Sequence, residues 1–214
     1  MRLAEKFRSL QGEGPSAGAP ATFARLQGCS VGCRWCDSRY TWDSGLGREV
    51  SLQGLLAELK GLGACDLLVI TGGEPLEVQG FEELAAAACR EWTRVEVETS
   101  GVRPPPLALP NLFWNWSPKL PSATPKWEST WAHAGAWMAE PRAIAKIVVG
   151  TGDAADAERL AKTLPRDRVW LMPEAMTAES LRERSEPLAE ICKREGWRLS
   201  PRLHVWLWGA RRGV

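Results

Sequence analysis

Asp66-Leu67-Leu68-Val69-Ile70-Thr71-Gly72-Gly73-Glu74-Pro75 reads as a short apolar strand that ends on a polar, glycine-rich turn. The same unit recurs on either side of it. Further strands are expected at Ala21–Gln27, Arg94–Glu98, Leu112–Trp116, Ala143–Val149 and Val169–Met172. Amphipathic stretches lie between several of them. Leu52, Leu55, Leu56 and Leu59 fall at helical spacing after Ser51, an expected N-cap. Phe81, Leu84, Ala85, Ala88 and Cys89 make a second apolar face. Ala154–Leu164, opened by Asp153, and Thr177–Glu195 are the third and fourth. Strands alternating with helices mean a parallel sheet wrapped by helices. A closed eight-fold barrel takes ~250 residues, and 214 residues with about six strands fall short of that. The expectation is an α/β fold, a partial, open TIM-like barrel of about six parallel strands with outer helices, in one domain over residues 1–214.

Composition narrows the function classes. The chain is 44% hydrophobic and 25% charged, which suits a packed domain rather than a disordered one. Lys and Arg number 27 against 26 Asp and Glu, so no basic excess argues for a nucleic-acid partner. No apolar run approaches the ~20 residues of a membrane span. The start, Met1 to Arg8, has no apolar secretory core. A cytoplasmic protein without nucleic-acid or membrane partners is expected. In that compartment the six Cys are thiols or metal ligands before they are disulfides. The twelve Trp show no cage-like spacing and read as bulky core and rim packing.

The polar motifs share a location. Cys29 follows one strand, Thr71-Gly72-Gly73-Glu74-Pro75 ends the next, and Glu98-Thr99-Ser100-Gly101 the one after. Ser117-Pro118-Lys119 and Pro173-Glu174 end two more. In barrel-like α/β folds these carboxyl ends converge on the active site. Five motifs at the same end of successive strands argue for one pocket.

Cys29-Ser30-Val31-Gly32-Cys33-Arg34-Trp35-Cys36 has the form C-x-x-x-C-x-x-C. Thiolates this close on a loop can share a centre, and three of them leave one position open. An iron–sulfur cluster with one iron free for a small molecule fits this pattern. A zinc site completed by Asp37 or a His, or a Cys33–Cys36 redox pair, fits it too. Cys65, Cys89 and Cys192 are scattered and read as small core or boundary residues.

The three-cysteine loop after one strand, with Gly72-Gly73-Glu74-Pro75 after the next, resembles the radical S-adenosylmethionine superfamily. Within it, three further stretches are similar to the 7-carboxy-7-deazaguanine synthase family. These are Phe7-Arg8-Ser9-Leu10-Gln11-Gly12-Glu13-Gly14, Phe23-Ala24-Arg25-Leu26-Gln27-Gly28-Cys29 and Trp35-Cys36-Asp37-Ser38-Arg39-Tyr40-Thr41-Trp42. Glu98-Thr99-Ser100-Gly101, Ser117-Pro118-Lys119 and the tail from Leu203-His204 to Val214 resemble it as well. The similarity runs from about residue 6 to the carboxyl end, while the intervening helices carry little of it.

The resemblance implies a lyase of 7-deazapurine synthesis, on the route to queuosine-type tRNA nucleosides. Its substrate would be 6-carboxy-5,6,7,8-tetrahydropterin, and its products 7-carboxy-7-deazaguanine and ammonia. It also implies a 4Fe-4S cluster on Cys29, Cys33 and Cys36, with S-adenosylmethionine chelating the fourth iron. The cofactor would supply the radical, so no side chain is expected to be catalytic in itself. By resemblance, S-adenosylmethionine is bound at Trp35, Cys36, Asp37, Gly73, Glu74, Ser117, Pro118, Lys119, Pro173 and Glu174. Glu74 reads as the partner of the cofactor's amine or as a helix-start acid, with Pro75 after it favouring a fixed turn. Met172-Pro173-Glu174-Ala175 departs from the family's usual Gln-Pro. The substrate would meet Leu10, Gln11, Gly12, Arg25, Thr71, Glu98 and His204, with the Arg25 fork suited to a pterin carboxylate. Ser38 stands where the family usually places a Thr that helps bind Mg²⁺, and it keeps the oxygen a hard cation needs. An external electron donor of flavodoxin or ferredoxin type and a homodimer are implied too. Lys146 has no assigned role. The competing readings are a glycyl-radical activase or other short radical enzyme, and a non-enzymatic iron–sulfur or zinc protein. Gln11-Gly12-Glu13-Gly14 and Cys36-Asp37-Ser38 are better explained by a pterin site than by the first, and the second leaves Gly72-Gly73-Glu74-Pro75 and Ser117-Pro118-Lys119 superfluous.

Overall fold

A computed structural model describes the whole chain, Met1–Val214. Its strands are β1 (Arg2–Leu10), β2 (Pro20–Leu26), β3 (Arg48–Glu49), β4 (Leu67–Gly72), β5 (Arg94–Thr99), β6 (Leu112–Trp116), β7 (Ala143–Val149), β8 (Val169–Pro173) and β9 (Arg198–Leu199). They form one sheet in the order β3-β1-β2-β4-β5-β6-β7-β8-β9. From β2 through β9 every neighbouring pair is parallel. β1 and β3 add an antiparallel edge. The six expected strands are β2 and β4 to β8, in unbroken parallel order, and the two-residue strands β3 and β9 leave the barrel open.

The reason the six were readable lies in their burial. Leu67 to Thr71 of β4 are buried without interruption, as parallel strands covered on both faces must be. Leu68 and Ile70 face the outer helices and join the main core. Leu67 and Val69 face inward and pack with Ala21 and Phe23 of β2. The strand β1 was not expected. Its Leu3 is buried and Phe7 stacks on Phe23 at 4.7 Å, but Arg2, Glu5, Lys6 and Arg8 interrupt the apolar pattern.

The helices are α1 (Leu52–Lys60), α2 (Phe81–Glu91), α3 (Trp127–Trp131), α4 (Ala134–Ala139), α5 (Ala154–Ala161), α6 (Ala178–Glu195) and α7 (Leu203–Trp208). Ser51 caps α1 by accepting from the Gly54 amide at 3.1 Å, as its spacing implied. Thr177 caps α6 in a reciprocal box with Ser180, and Gly196, at φ 70°, closes it in the left-handed conformation that glycine tolerates. Asp153 differs from expectation. Its carboxylate accepts from the Gly150 amide at 3.0 Å and makes no bond to the first turn of α5. The helices α3, α4 and α7 span five or six residues each, too few for a periodic pattern to register. The Trp bias has a packing explanation in part. Trp114, Trp116 and Trp137 are fully buried, with Trp116 stacked on Trp137 and Trp114 set edge-on to it at 5.4 Å. No helix is long and apolar enough to cross a membrane.

Candidate active site

The loop that leaves β2 is tied down from three sides. The Gly28 and Cys29 amides donate to Thr41 and Trp42 carbonyls at 2.7 and 3.2 Å. The Ser30 amide donates to Glu77 at 2.8 Å. The Arg34 amide donates to the Ala123 carbonyl, and Thr124 Oγ1 to that of Val31. Cys29, Cys33 and Cys36, all free thiols, line a cavity at the carboxyl ends of the strands. Burial pushes the Cys29 thiol up to about 11 and raises that of Cys33, which Lys119 opposes. A cationic centre beside these thiols would favour their thiolate forms. Three thiols on one loop lining one cavity suit a cluster in which each binds its own iron.

The Gly72-Gly73-Glu74-Pro75 turn abuts that loop. A Cβ on Gly73 would lie 2.0 Å from the Gly28 carbonyl oxygen and 2.9 Å from the Cys29 Cβ, so only glycine allows the two strand ends to meet here. The Glu74 carboxylate is buried and fully engaged. It accepts from the Leu76 amide at 3.1 Å, the Ser100 amide at 2.7 Å and both the Thr99 and Ser100 hydroxyls. Burial raises its proton affinity and those donors oppose the rise. Its visible work is to cap the turn and tie β4 to β5.

Trp35, Asp37, Ser117 and Lys119 also line the cavity. Lys119 Nζ donates to Ser117 Oγ at 3.0 Å and lies 5.7 Å from the centre of the Trp35 ring. Trp35 Nε1 is buried with no partner, an orphan donor at the wall where a cofactor would sit. Pro118, Pro173 and Glu174 do not line the cavity; Met172 and Met176 do at that strand end. The Glu174 carboxylate instead pairs with Arg184 of α6.

The other end of the cavity gathers the residues assigned to substrate. Arg25 Nε donates to Glu5 Oε1 at 2.8 Å, and its two terminal nitrogens bind nothing in the protein. Tyr40 donates to the same oxygen; burial, with Glu5 beside it, pushes the Tyr40 hydroxyl up to about 12. Glu98 accepts from Gln11 Nε2 at 3.3 Å and from Thr71 Oγ1 at 2.9 Å. A Cβ on Gly12 would lie 2.1 Å from His204 Nδ1, so the close backbone approach permitted there is used by His204. Burial, then Arg202, lowers the proton affinity of His204, and Glu13 opposes them. Leu10 lines the cavity and Ser38 is buried in its wall, 3.7 Å from Cys36 Sγ.

Several lining residues had no expected role. Glu13 sits in the quoted Gln-Gly-Glu-Gly stretch, yet its partners are distant: Lys146 of β7 and Arg202, which also binds Asp37. Glu5, Tyr40 and residues 210–214 complete the mouth, with Arg212 packed over the Tyr40 ring at 3.6 Å.

An open parallel half-barrel with three thiols on the first crossover loop is the architecture of radical S-adenosylmethionine enzymes, and the model of the Radical SAM superfamily matches residues 25–112. A 7-carboxy-7-deazaguanine synthase of Pyrobaculum aerophilum is 40% identical over 220 residues, covering 100% of this chain and 97% of that one. The enzyme of that name from Escherichia coli K12 is 31% identical over 95% of this chain and 96% of its own. The chain belongs to the 7-carboxy-7-deazaguanine synthase family. The crystal structure of QueE from Escherichia coli superposes with a TM-score of 0.70 at 30% identity, over 93% of this chain and 92% of that one. Streptococcus suis SuiB bound to S-adenosylmethionine, at 14% identity and a TM-score of 0.55 over 80% of this chain and 44% of its own, shares the fold.

Proposed function

We propose that this chain, as one domain over residues 1–214, converts 6-carboxy-5,6,7,8-tetrahydropterin to 7-carboxy-7-deazaguanine and ammonia. Substrate and products contain the same atoms, so the reaction needs no net oxidant. When bound, the cluster and S-adenosylmethionine supply the radical that starts it. Cys29, Cys33 and Cys36 would hold the cluster, and Gly73, Trp35, Ser117 and Lys119 would shape the cofactor's bed.

The observation that carries the reading is the polarity of the cavity. Arg25 offers two unpaired guanidinium nitrogens on β2, while Glu98 on β5 offers carboxylate oxygens in the same space. A carboxylated pterin has one anionic end and several N–H donors, and it matches both. Burying its carboxylate unpaired would be costly. Leu10, Gln11, Gly12, Thr71 and His204 enclose the rest, with Gln11 and Thr71 fixing Glu98.

Further parts of the reading are supported by residue type and position. Ser38 Oγ, two residues past the last cluster cysteine, would help bind Mg²⁺, which prefers oxygen and would anchor the substrate carboxylate. Ser38→Ala should then blunt Mg²⁺ stimulation of turnover while the cluster loads normally. The product would feed 7-deazapurine nucleosides of tRNA in the cytoplasm. A flavodoxin- or ferredoxin-type donor would reduce the cluster of a homodimer. The reading is tested by anaerobic reconstitution with iron and sulfide, then turnover with the carboxytetrahydropterin. The expected outcome is 7-carboxy-7-deazaguanine and ammonia in equal amounts. Cleavage of S-adenosylmethionine that leaves the pterin intact would overturn it.

A further inference from the structure

Lys146 is the one fully buried ammonium facing this cavity, and no step above uses it. β7 turns Ala143, Ala145, Ile147 and Val149 to the outer core, which leaves Lys146 and Val148 on the inner face, lining the cavity. Lys146 is 3% exposed. Its Nζ bonds Glu13 of the loop after β1, and it stands 3.6 Å from Glu98 Oε1 of β5. One cation thus holds two carboxylates that come from opposite parts of the sheet. Across the strand order Arg25 lies on β2, Glu98 on β5 and Lys146 on β7, so Glu98 sits between the two cations.

Glu13 and Glu98 share the Lys146 ammonium, and two like charges this close repel unless a common cation holds them. A displaced carboxylate would no longer meet the N–H groups that the ligand presents. Gln11 and Thr71 also hold Glu98, but both are neutral and supply no positive charge. Arg202 is spent on Glu13, Asp37 and the Ala175 carbonyl.

We infer that Lys146 is a positioning and specificity residue: by bridging Glu13 and Glu98 it fixes both as acceptors for the N–H-rich edge of the pterin. The inference rests on the pterin reading above. It explains why a buried lysine is kept beside carboxylates that line the substrate end. It also predicts a preference the cavity's shape alone would not give. A ligand whose 2-amino group is replaced by oxygen loses donors that the held carboxylates need, and a site built for hydrogen bonds rejects such an analogue strongly.

The test uses the reconstituted holoenzyme under anaerobic conditions with S-adenosylmethionine present. Dissociation constants are measured for the carboxytetrahydropterin and for its 2-oxo analogue, with the parent, Lys146→Met and Lys146→Arg. The parent should favour the 2-amino compound by about tenfold or more. Lys146→Met should bring that ratio below about threefold and raise KM for the pterin more than it lowers kcat. Its cluster absorbance and its S-adenosylmethionine affinity should match the parent's. Lys146→Arg, which keeps the charge, should recover most of the preference. Should Lys146→Met fail to load its cluster, Lys146→Gln carries the same comparison. A neutral variant that keeps the parent's ratio overturns the inference. So does one that loses affinity for cofactor and both pterins alike. A parent that binds neither pterin overturns the substrate reading itself, whereas a parent that binds them with an unchanged ratio in Lys146→Met sinks the role of Lys146 alone.

Discussion

Gly73 and Gly28 meet so closely at the ends of β4 and β2 that a Cβ on Gly73 would stand 2.0 Å from the Gly28 carbonyl oxygen. The Glu74 amide also donates to that oxygen at 2.8 Å, so the contact is held from the neighbouring residue as well. The far side of the contact is backbone, which cannot swing away as a side-chain tip could. Gly73→Ala should therefore displace the start of the cysteine loop. Overpacking of this kind costs about 1–3 kcal/mol, which the fold survives and the site does not. Iron content and S-adenosylmethionine binding should fall sharply while the circular dichroism spectrum stays near that of the parent. A variant with full cluster and cofactor binding would show that the contact is dispensable.

The six cysteines should divide by place in the fold. Ala at Cys29, Cys33 or Cys36 should abolish the cluster's visible absorbance and cofactor cleavage. Cys192 is packed in the core against β8, and Cys89 is half-buried on α2. Cys65 donates to the Pro20 carbonyl at 3.1 Å. Ala at any of these three should leave iron content unchanged and cost only about 1 kcal/mol of stability, the ordinary toll of a small truncation. Loss of iron from Cys65→Ala would point to a fourth protein ligand.

Arg25 and Glu5 should behave as a unit. Glu5 occupies Nε of Arg25 and thereby aims the terminal nitrogens, so Glu5→Gln should weaken pterin binding without touching the ligand. A charge-assisted contact of about 1.5–3 kcal/mol corresponds to roughly 10- to 100-fold in affinity. Arg25→Ala should fall near the upper figure and Arg25→Lys, which lacks the fork, near the lower. Uncoupled cleavage of S-adenosylmethionine should persist in both. Equal affinity of the parent for the carboxylated and decarboxylated pterins would remove the carboxylate clamp.

How much of this was legible in the chain depends on distance along it. β6 and β7 could be read to the residue because their mostly apolar runs stand out from the polar residues around them, even with Asn115 and Lys146 inside. β1 could not, since it lies near the edge of the sheet and carries Arg2, Glu5, Lys6 and Arg8 among its apolar residues. α7 is six residues long and leaves Trp206 64% exposed, so neither periodicity nor burial marks it. The site shows the same divide. The cysteine spacing and the Gly-Gly-Glu-Pro turn are local and carry their chemistry in a few residues. Lys146 with Glu13, and Arg202 with Asp37, join positions 133 and 165 residues apart, and nothing near either partner announces the other. The displaced expectation at Pro173-Glu174 has a local cause too: an arginine on α6, Arg184, draws the carboxylate away.

His204 should give the protein a dependence on pH in the neutral range. The imidazole is packed against Gly12, where a Cβ would lie 2.1 Å from Nδ1, and the backbone there is fixed by the Leu203 amide donating to the Gly12 carbonyl at 2.9 Å. Burial, then the Arg202 guanidinium, holds its proton affinity below the ordinary 6.5, with Glu13 only partly opposing them. The folded protein therefore takes up a proton on His204 at lower pH than the unfolded chain, whose imidazole titrates near the ordinary 6.5. Since the unfolded state binds more protons, stability must fall as pH falls. The loss begins near 6.5 and levels off once the pH drops below the folded value. Its slope cannot exceed about 1.4 kcal/mol per pH unit for one group. Denaturant midpoints of the reconstituted protein, measured anaerobically from pH 7.5 to 5.5, should decline in the parent. In His204→Gln, which has no proton to gain, that part of the decline should vanish. The variant should also be the less sensitive of the two at pH 5.5 relative to its own value at 7.5. Parallel curves for parent and variant would mean that the imidazole titrates alike in both states and that its burial costs the charged form nothing.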